Sequence, residues 1–463
     1  MTNELPQTFT DFMRALLGEA RFSIFMRAMQ DKPTTSVRLN PLKAPQIRLD
    51  VERSMNGFDG AVPWTPQEGA YLAERPPFTF DPVLHSGAYY VQDASSMFLR
   101  HALKGQLKQS VTALDLCAAP GGKATHLRSL LPKGSLLVAN EVNRQRAAVL
   151  AQNLMRFGHA DVAVTNSPAD NFARLPDFFD LIVADVPCSG EGMFRKDEHA
   201  IAQWTPQLTA MCSRRQRDII KAAWPALKPG GLLIYSTCTF NTSENDDNVK
   251  WIANELGADI LPISVPPEWG ILTTDCGLRF VPGLTRGEGL FLSLLQKNGS
   301  AASPVKQIRK SKNAPALAPK HWLLNPDDFT FEACGPTIYA LRAELSEKVN
   351  QLRSAVNVLS AGIKLCQQKG NGFIPSHALA LSADFRRNAF PEMDVSYDTA
   401  LTYLCRKTFI AKNGTPKGFV TVIYQNLPLG FVKNLGTRVN NLYPLECKIR
   451  TSYLSNYNLY ASS

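Results

Sequence analysis

Between Val111 and Leu295 the hydrophobic pattern alternates between two kinds of segment. Short, nearly continuous apolar runs (Val111–Leu116, Leu136–Ala139, Val162–Thr165, Leu181–Ala184 and Gly231–Tyr235) read as strands buried on both faces. Between them, Lys123–Leu131, Gln145–Phe157 and Leu208–Trp224 carry the mixed pattern of helices. Strand and helix in turn at these intervals predict an α/β fold with a doubly wound, mostly parallel sheet. Gly289–Leu295 supplies a late strand. Ahead of this block, Phe9, Phe12, Leu16, Leu17, Phe25 and Met26 mark an amphipathic helix over Phe9–Arg27, and Ser36–Asn40 reads as a strand stopped by Pro41. Beyond it the pattern predicts a helix over Ala340–Leu359 and strands at Gly418–Tyr424 and Leu429–Val432.

The polar residues that end these strands then acquire a meaning. Parallel strands present their carboxyl ends at one edge, where open α/β sheets bind ligands. Asp185 and Cys188 follow one strand and Cys238 follows another, so two thiols and a carboxylate are expected at one cleft. A thiolate is a strong nucleophile and a carboxylic acid can pass a proton to a ring nitrogen. Together they suit attack on an electron-poor ring such as a pyrimidine base.

A turn of small residues, Cys117-Ala118-Ala119-Pro120-Gly121-Gly122-Lys123, joins the first strand to the first helix. Small residues let backbone approach a ligand, and the free amides of a helix start favour negative charge. A phosphate-binding P-loop needs glycine at Cys117 and Ser/Thr at Ala124, and the dinucleotide GxGxxG is absent. Glu141, just past the second strand, stands where an acid binds ribose hydroxyls. A nucleoside held without a phosphate grip is the requirement of S-adenosylmethionine. In the loop after the third strand, Asn166 or Asp170 would face the adenine.

Composition narrows the class. The chain has 463 residues, 44% of them hydrophobic, enough for two or three domains. No apolar run reaches membrane-spanning length and the N-terminus does not read as a signal peptide, so a cytoplasmic protein is expected. The nine cysteines are irregularly spaced and form no CxxC pair, which argues against zinc, any other metal site and disulfides. Net charge is +10, and from Ala301 onward 20 Lys+Arg face 10 Asp+Glu, so the whole surplus lies in the last third. Such a localised excess suits a polyanion. Asn298–Lys320, with five Lys/Arg, no acids and three prolines, reads as a linker.

With these residues in view, the chain resembles the RNA cytosine-C5 methyltransferases, the family that includes bacterial ribosomal-RNA enzymes and the eukaryotic NSUN proteins. The matching stretches are Cys117–Lys123, Asp185–Asp197, Tyr235–Phe240 with Glu244-Asn245, Tyr90–Ser96 and Ser36–Pro41. Phe194–Asp197 and Leu427–Asn434 point to the RsmF-type subgroup, which modifies 16S rRNA. The resemblance implies a Rossmann-like S-adenosylmethionine-dependent methyltransferase core, an N-terminal α+β RNA-binding extension and a small C-terminal PUA-like α+β domain. The boundaries expected are 1–105 for the N-terminal RNA-binding and substrate-positioning region, 106–297 for the catalytic domain, 298–325 for the basic linker and 326–463 for the C-terminal RNA-binding domain.

The resemblance further implies a mechanism. Addition of a thiolate to cytosine C6 makes C5 enamine-like and able to accept a methyl group. The residues alone leave the two cysteines open. The family pattern makes Cys238 the nucleophile and gives Cys188 a part in product release. Asp185 would hold the cytosine edge and help protonate the ring, and Lys123 would stabilise charge developing on it. Cofactor contacts would come from Cys117, Ala118, Ala119, Pro120, Gly121, Gly122, Lys123, Glu141, Asn166 and Asp185. RNA, as rRNA or a small ribosomal subunit, is the expected partner of a monomeric enzyme, with tRNA as an alternative substrate and a non-catalytic ribosome-assembly factor as an alternative class. Bland readings fit His126 (helix surface or packing), Trp204 (core), Cys117 (a buried small hydrophobe under the loop) and Cys212 (a helix residue), and Arg214, Arg215 and Arg217 read equally as a solvated helix face or as phosphate contacts.

Overall fold

The computed structural model of the protein describes residues 5–43, 57–299 and 317–450. Most of the basic linker, 300–316, lies outside the described residues.

The chain opens with helix α1 (Gln7–Ala28), kinked at Gly18, whose buried Phe9, Met13 and Phe25 pack against Phe194, Trp204 and Phe240. Four short strands follow, β1 (Thr35–Leu39), β2 (Phe58–Ala61), β3 (Gly69–Leu72) and β4 (Tyr89–Val91), in the antiparallel order β2-β3-β1-β4.

The central sheet starts with β5 (Thr112–Asp115), β6 (Leu136–Asn140), β7 (Val162–Thr165), β8 (Phe179–Asp185) and β9 (Leu227–Thr237). They run parallel in the order β9-β8-β5-β6-β7, with Asp115 beside Val183 and Asp185 beside Ser236. Helices α2 (Gly122–Leu130), α3 (Arg144–Phe157) and α4 (Pro206–Ala223) connect them, and α5 (Asp246–Leu256) follows β9. Two of the starts are capped by side chains: Asn143 caps α3, and Thr205 caps α4 with Pro206 as the first helical residue. Two apolar layers cover the sheet, one around Leu127, Leu150 and Ile234, the other around Leu114, Val138 and Ile182. Burying one such side chain contributes about 1.5–3 kcal/mol. The late strand, Leu290–Lys297, pairs antiparallel with β9.

The expected helix over Ala340–Leu359 holds only in its middle. The segment forms a strand (Thr337–Arg342), helix α6 (Ser346–Ala355) and a second strand (Val358–Ala361). Strand pairing wins at both ends: Thr337–Arg342 pairs with Phe329–Cys334, and Val358–Ala361 pairs antiparallel with β7, extending the central sheet. The strands expected near Gly418 and Leu429 form a hairpin, Gly418–Tyr424 with Leu427–Asn434, turned by Gln425 and Asn426 in left-handed conformation.

Candidate active site

β8 and β9 set the site because they run side by side and stop together. Asp185 is the last residue of β8, and Cys238 follows Thr237, the last residue of β9. Their register brings Cys188 and Cys238 together, with Sγ atoms 3.2 Å apart. Asp185 Oδ1 accepts a hydrogen bond from Ser236 Oγ at 2.8 Å, and its Oδ2 lies 2.8 Å from Lys123 Nζ. Burial disfavours the Lys123 ammonium, but the Asp185 carboxylate outweighs it and the lysine is held above its usual range, helped by Cys238. The Cys188 thiol is pushed well up, by its contact with Cys238 first and by burial second.

The small-residue turn brings Lys123 here. Gly121 precedes α2 with φ 117°, a conformation that strains any side chain. Asn153 Nδ2 donates to Pro120 O at 2.7 Å, Arg146 Nη2 to Ala119 O at 2.8 Å, and the Ala118 N–H to Asn140 O at 2.8 Å. The turn is thus held from α3 and from the end of β6.

A cavity of about 790 Å³ opens at this edge, lined by Cys117, Ala119, Glu141, Asp185, Cys188 and Cys238 among others. Glu141 is almost fully buried, accepts from the Asn143 N–H at 2.8 Å and lies 3.3 Å from Arg146. Burial raises the Cys117 thiol far above its ordinary value, so its sulfur is a wall and not a nucleophile.

Three family models match the chain: the 16S rRNA methyltransferase RsmB/F model over residues 102–296, the N-terminal domain of 16S rRNA methyltransferase RsmF over 5–94, and the methyltransferase RsmF PUA domain over 390–447. The chain carries the methyltransferase domain of the 16S rRNA methyltransferase RsmB/F family, with RsmF-type N-terminal and PUA domains beside it. It is 29% identical over 467 residues to the ribosomal RNA small subunit methyltransferase F of Salmonella paratyphi A, covering 95% of this chain and 96% of that protein. The protein of the same name from Klebsiella pneumoniae is 29% identical over 465 residues with the same coverage. Among solved structures, a methyltransferase homologue from Pyrococcus horikoshii is 27% identical and superposes with a TM-score of 0.54 over 63% of this chain and 95% of that one.

Within this family's site, several side chains stand where the sequence alone did not put them. The Asn166 amide is committed to the carbonyls of Glu141 and Val142, at 2.7 and 2.9 Å, and the cavity wall beside it is Ser167, Pro168, Ala169 and Asp170. The basic run on α4 splits: Arg215 lines the cavity with Asp218 and Ile219, Gln216 is fully buried, and Arg217 packs on Trp251. His126 and Trp204 are buried, as their packing readings expect. Asp115, passed over in the sequence, ends β5 wholly buried; burial lifts its carboxyl to about 8, with the Asp185 charge adding and Lys123 opposing. Its signal was its place at a strand end, the same that marked Asp185.

Proposed function

We propose that the protein transfers a methyl group from S-adenosylmethionine to C5 of a cytosine in 16S rRNA, through a covalent bond between Cys238 and cytosine C6. The observation that carries this reading is the meeting of two thiols with Asp185 on the wall of one cavity, Asp185 being paired in turn with Lys123. The cavity residues fit the cofactor: a nearly buried carboxylate at Glu141 suits a ribose diol, and the volume suits a nucleoside. When bound, S-adenosylmethionine supplies an electrophilic methyl group on a sulfonium.

The chain's own groups do the rest. Cys238 gives its sulfur to C6 as a thiolate, and that sulfur lies within electrostatic reach of the Lys123 ammonium. Asp185 is placed to hold the amidine edge of the base, and charge arriving on the ring is met by Lys123. Once C5 carries the methyl group its proton leaves, the Cys238 sulfur is eliminated, and Cys188, in contact with that sulfur, assists release. An exposed loop of rRNA offers a splayed base at low unstacking cost.

The test is tritium release. Small ribosomal subunits and naked 16S rRNA carrying [5-³H]cytosine should release tritium to water only with protein and S-adenosylmethionine both present. Retention of tritium by both substrates at saturating protein would refute the reading.

A further inference from the structure

Beneath the two thiols lies a polar network centred on Glu244, which is fully buried. Its Oε2 accepts from the Ser189 N–H at 3.0 Å and from Gln216 Nε2 at 2.7 Å, and its Oε1 from Asn241 Nδ2 at 2.7 Å. The amides are oriented by their other bonds. Asn241 Oδ1 accepts from Ser243 Oγ and the Glu244 N–H, and Gln216 Oε1 accepts from Tyr235 O–H and Asn248 Nδ2. All three neighbours are therefore donors; burial raises the Glu244 carboxyl, and these three bonds oppose that rise by favouring the ionised form. Ser189 adjoins Cys188 in the chain, so this charge sits under the Cys188 turn.

The surroundings of the two sulfurs differ. Cys238 lies within the field of the Lys123 ammonium, whereas Cys188 feels the Glu244 charge, which adds to the contact and burial that push its thiol up. The other ionisable groups around the pair do not cancel this contrast. Asp185 is paired with Lys123, and burial keeps the Tyr235 hydroxyl and Cys212 thiol neutral. Asp115 sits at the neighbouring strand end with its carboxyl raised. The buried Glu191 accepts from Trp204 Nε1, Asn241 Nδ2 and the Phe240 and Asn241 N–H groups, which spread its charge.

We infer that Glu244 selects the nucleophile: its carboxylate, fixed under the Cys188 turn, keeps Cys188 as the S–H partner, so that ionisation falls to Cys238 beside Lys123. At 3.2 Å the Cys188 S–H can then donate to the Cys238 thiolate. Glu244 is a positioning residue, touching neither substrate nor cofactor. The inference rests on the reading of Cys238 as the attacking sulfur.

Limited alkylation of the full-length protein with iodoacetamide, from about pH 6 to about pH 9, tests it by locating the first-modified cysteine with peptide mass mapping. Cys238 should react first, roughly tenfold faster than Cys188 near pH 7. Glu244→Asp keeps the charge and should keep the preference. Glu244→Gln should narrow it, with Cys188 reacting at lower pH than before. A folded Glu244→Gln with the native preference overturns the inference. Thermal melting reports whether that variant folds; if it does not, the wild-type profile decides, and Cys188 ionising at or below the pH of Cys238 overturns it equally. The labelling needs no RNA. Methyl transfer by Cys238→Ala would instead sink the assignment of the attacking sulfur, leaving the alkylation result to speak for Glu244 alone.

Discussion

Cys188 and Cys238 are chemically identical side chains in contact, yet the proposed reaction asks opposite things of them. Cys238→Ala should lose methyl transfer altogether, because burial disfavours the thiolate of both other cysteines on that wall, Cys117 and Cys188. Cys188→Ala should still add to C6 but fail to let go, giving a protein–RNA band that survives denaturing electrophoresis. The same band from Cys238→Ala, and none from Cys188→Ala, would reverse the roles. Asp115 supports a second residue-level expectation. Its folded carboxyl titrates near 8, raised by burial, while an unfolded aspartate ionises near 3.8. Between those values the folded chain holds a proton that the unfolded chain does not, so stability falls as pH rises through the interval. Asp115→Asn removes that penalty. Its gain in melting temperature should be small near pH 4 and largest near pH 8, levelling above; an equal gain at both would show that Asp115 is ionised in the fold. At this scale Asp185, Cys188 and Cys238 were readable because each follows a strand. Asn166 was not, because a loop amide that braces backbone and one that faces a ligand look alike in sequence. Glu244 matched the family, but its partners at positions 189 and 216 are distant along the chain, and only the fold shows that they meet.

Strands and helices were legible where one period dominated. The parallel strands β5 to β9 have apolar centres and were found nearly in place, β9 alone running well past its expected ends. The segment after the linker was not, since Thr337–Arg342 owes its extended form to pairing with two other strands, Phe329–Cys334 and Ile363–Lys369. That error hid a structural consequence. Val349, Leu352 and Ala355 of α6 are buried in the same cluster as Leu114, Val138 and Ile182 of the central sheet. Next to it, the Asn166 N–H donates to Asn357 O and the Asn357 N–H to Ser167 Oγ, both at 2.9 Å, so chain from beyond the linker braces the cavity wall. Leu352→Ala should therefore destabilise the methyltransferase core itself, by about 2–5 kcal/mol. Its urea midpoint, followed by tryptophan fluorescence, should fall, and KM for S-adenosylmethionine should rise. A midpoint matching wild type would mean that α6 is only an appendage to the sheet.

Across the whole molecule, charge separates from chemistry. The residues around the thiols come from the central sheet, whereas residues 405–450 carry eight Lys/Arg and a single acid, Glu446. Of these, Arg406, Lys407, Lys412 and Lys417 are all exposed and stand together in the stretch leading into the strand Gly418–Tyr424. Charges placed this way can act on a polyanion mainly through its phosphates, because displaced counterions make binding salt-dependent without reading sequence. The log of affinity for single-stranded RNA changes by about 0.7 per neutralised phosphate for each log unit of salt. Replacing the four cations with glutamine should weaken rRNA binding and flatten that slope by up to about 3, if each side chain meets one phosphate. The rate at saturating RNA and the affinity for S-adenosylmethionine should hold, since Lys123, Asp185 and the thiols keep their own partners. Filter binding across a salt series separates the outcomes. An unchanged slope with weaker binding would assign these residues to base contacts or folding, and an unchanged slope with unchanged affinity would move the RNA footprint off this domain.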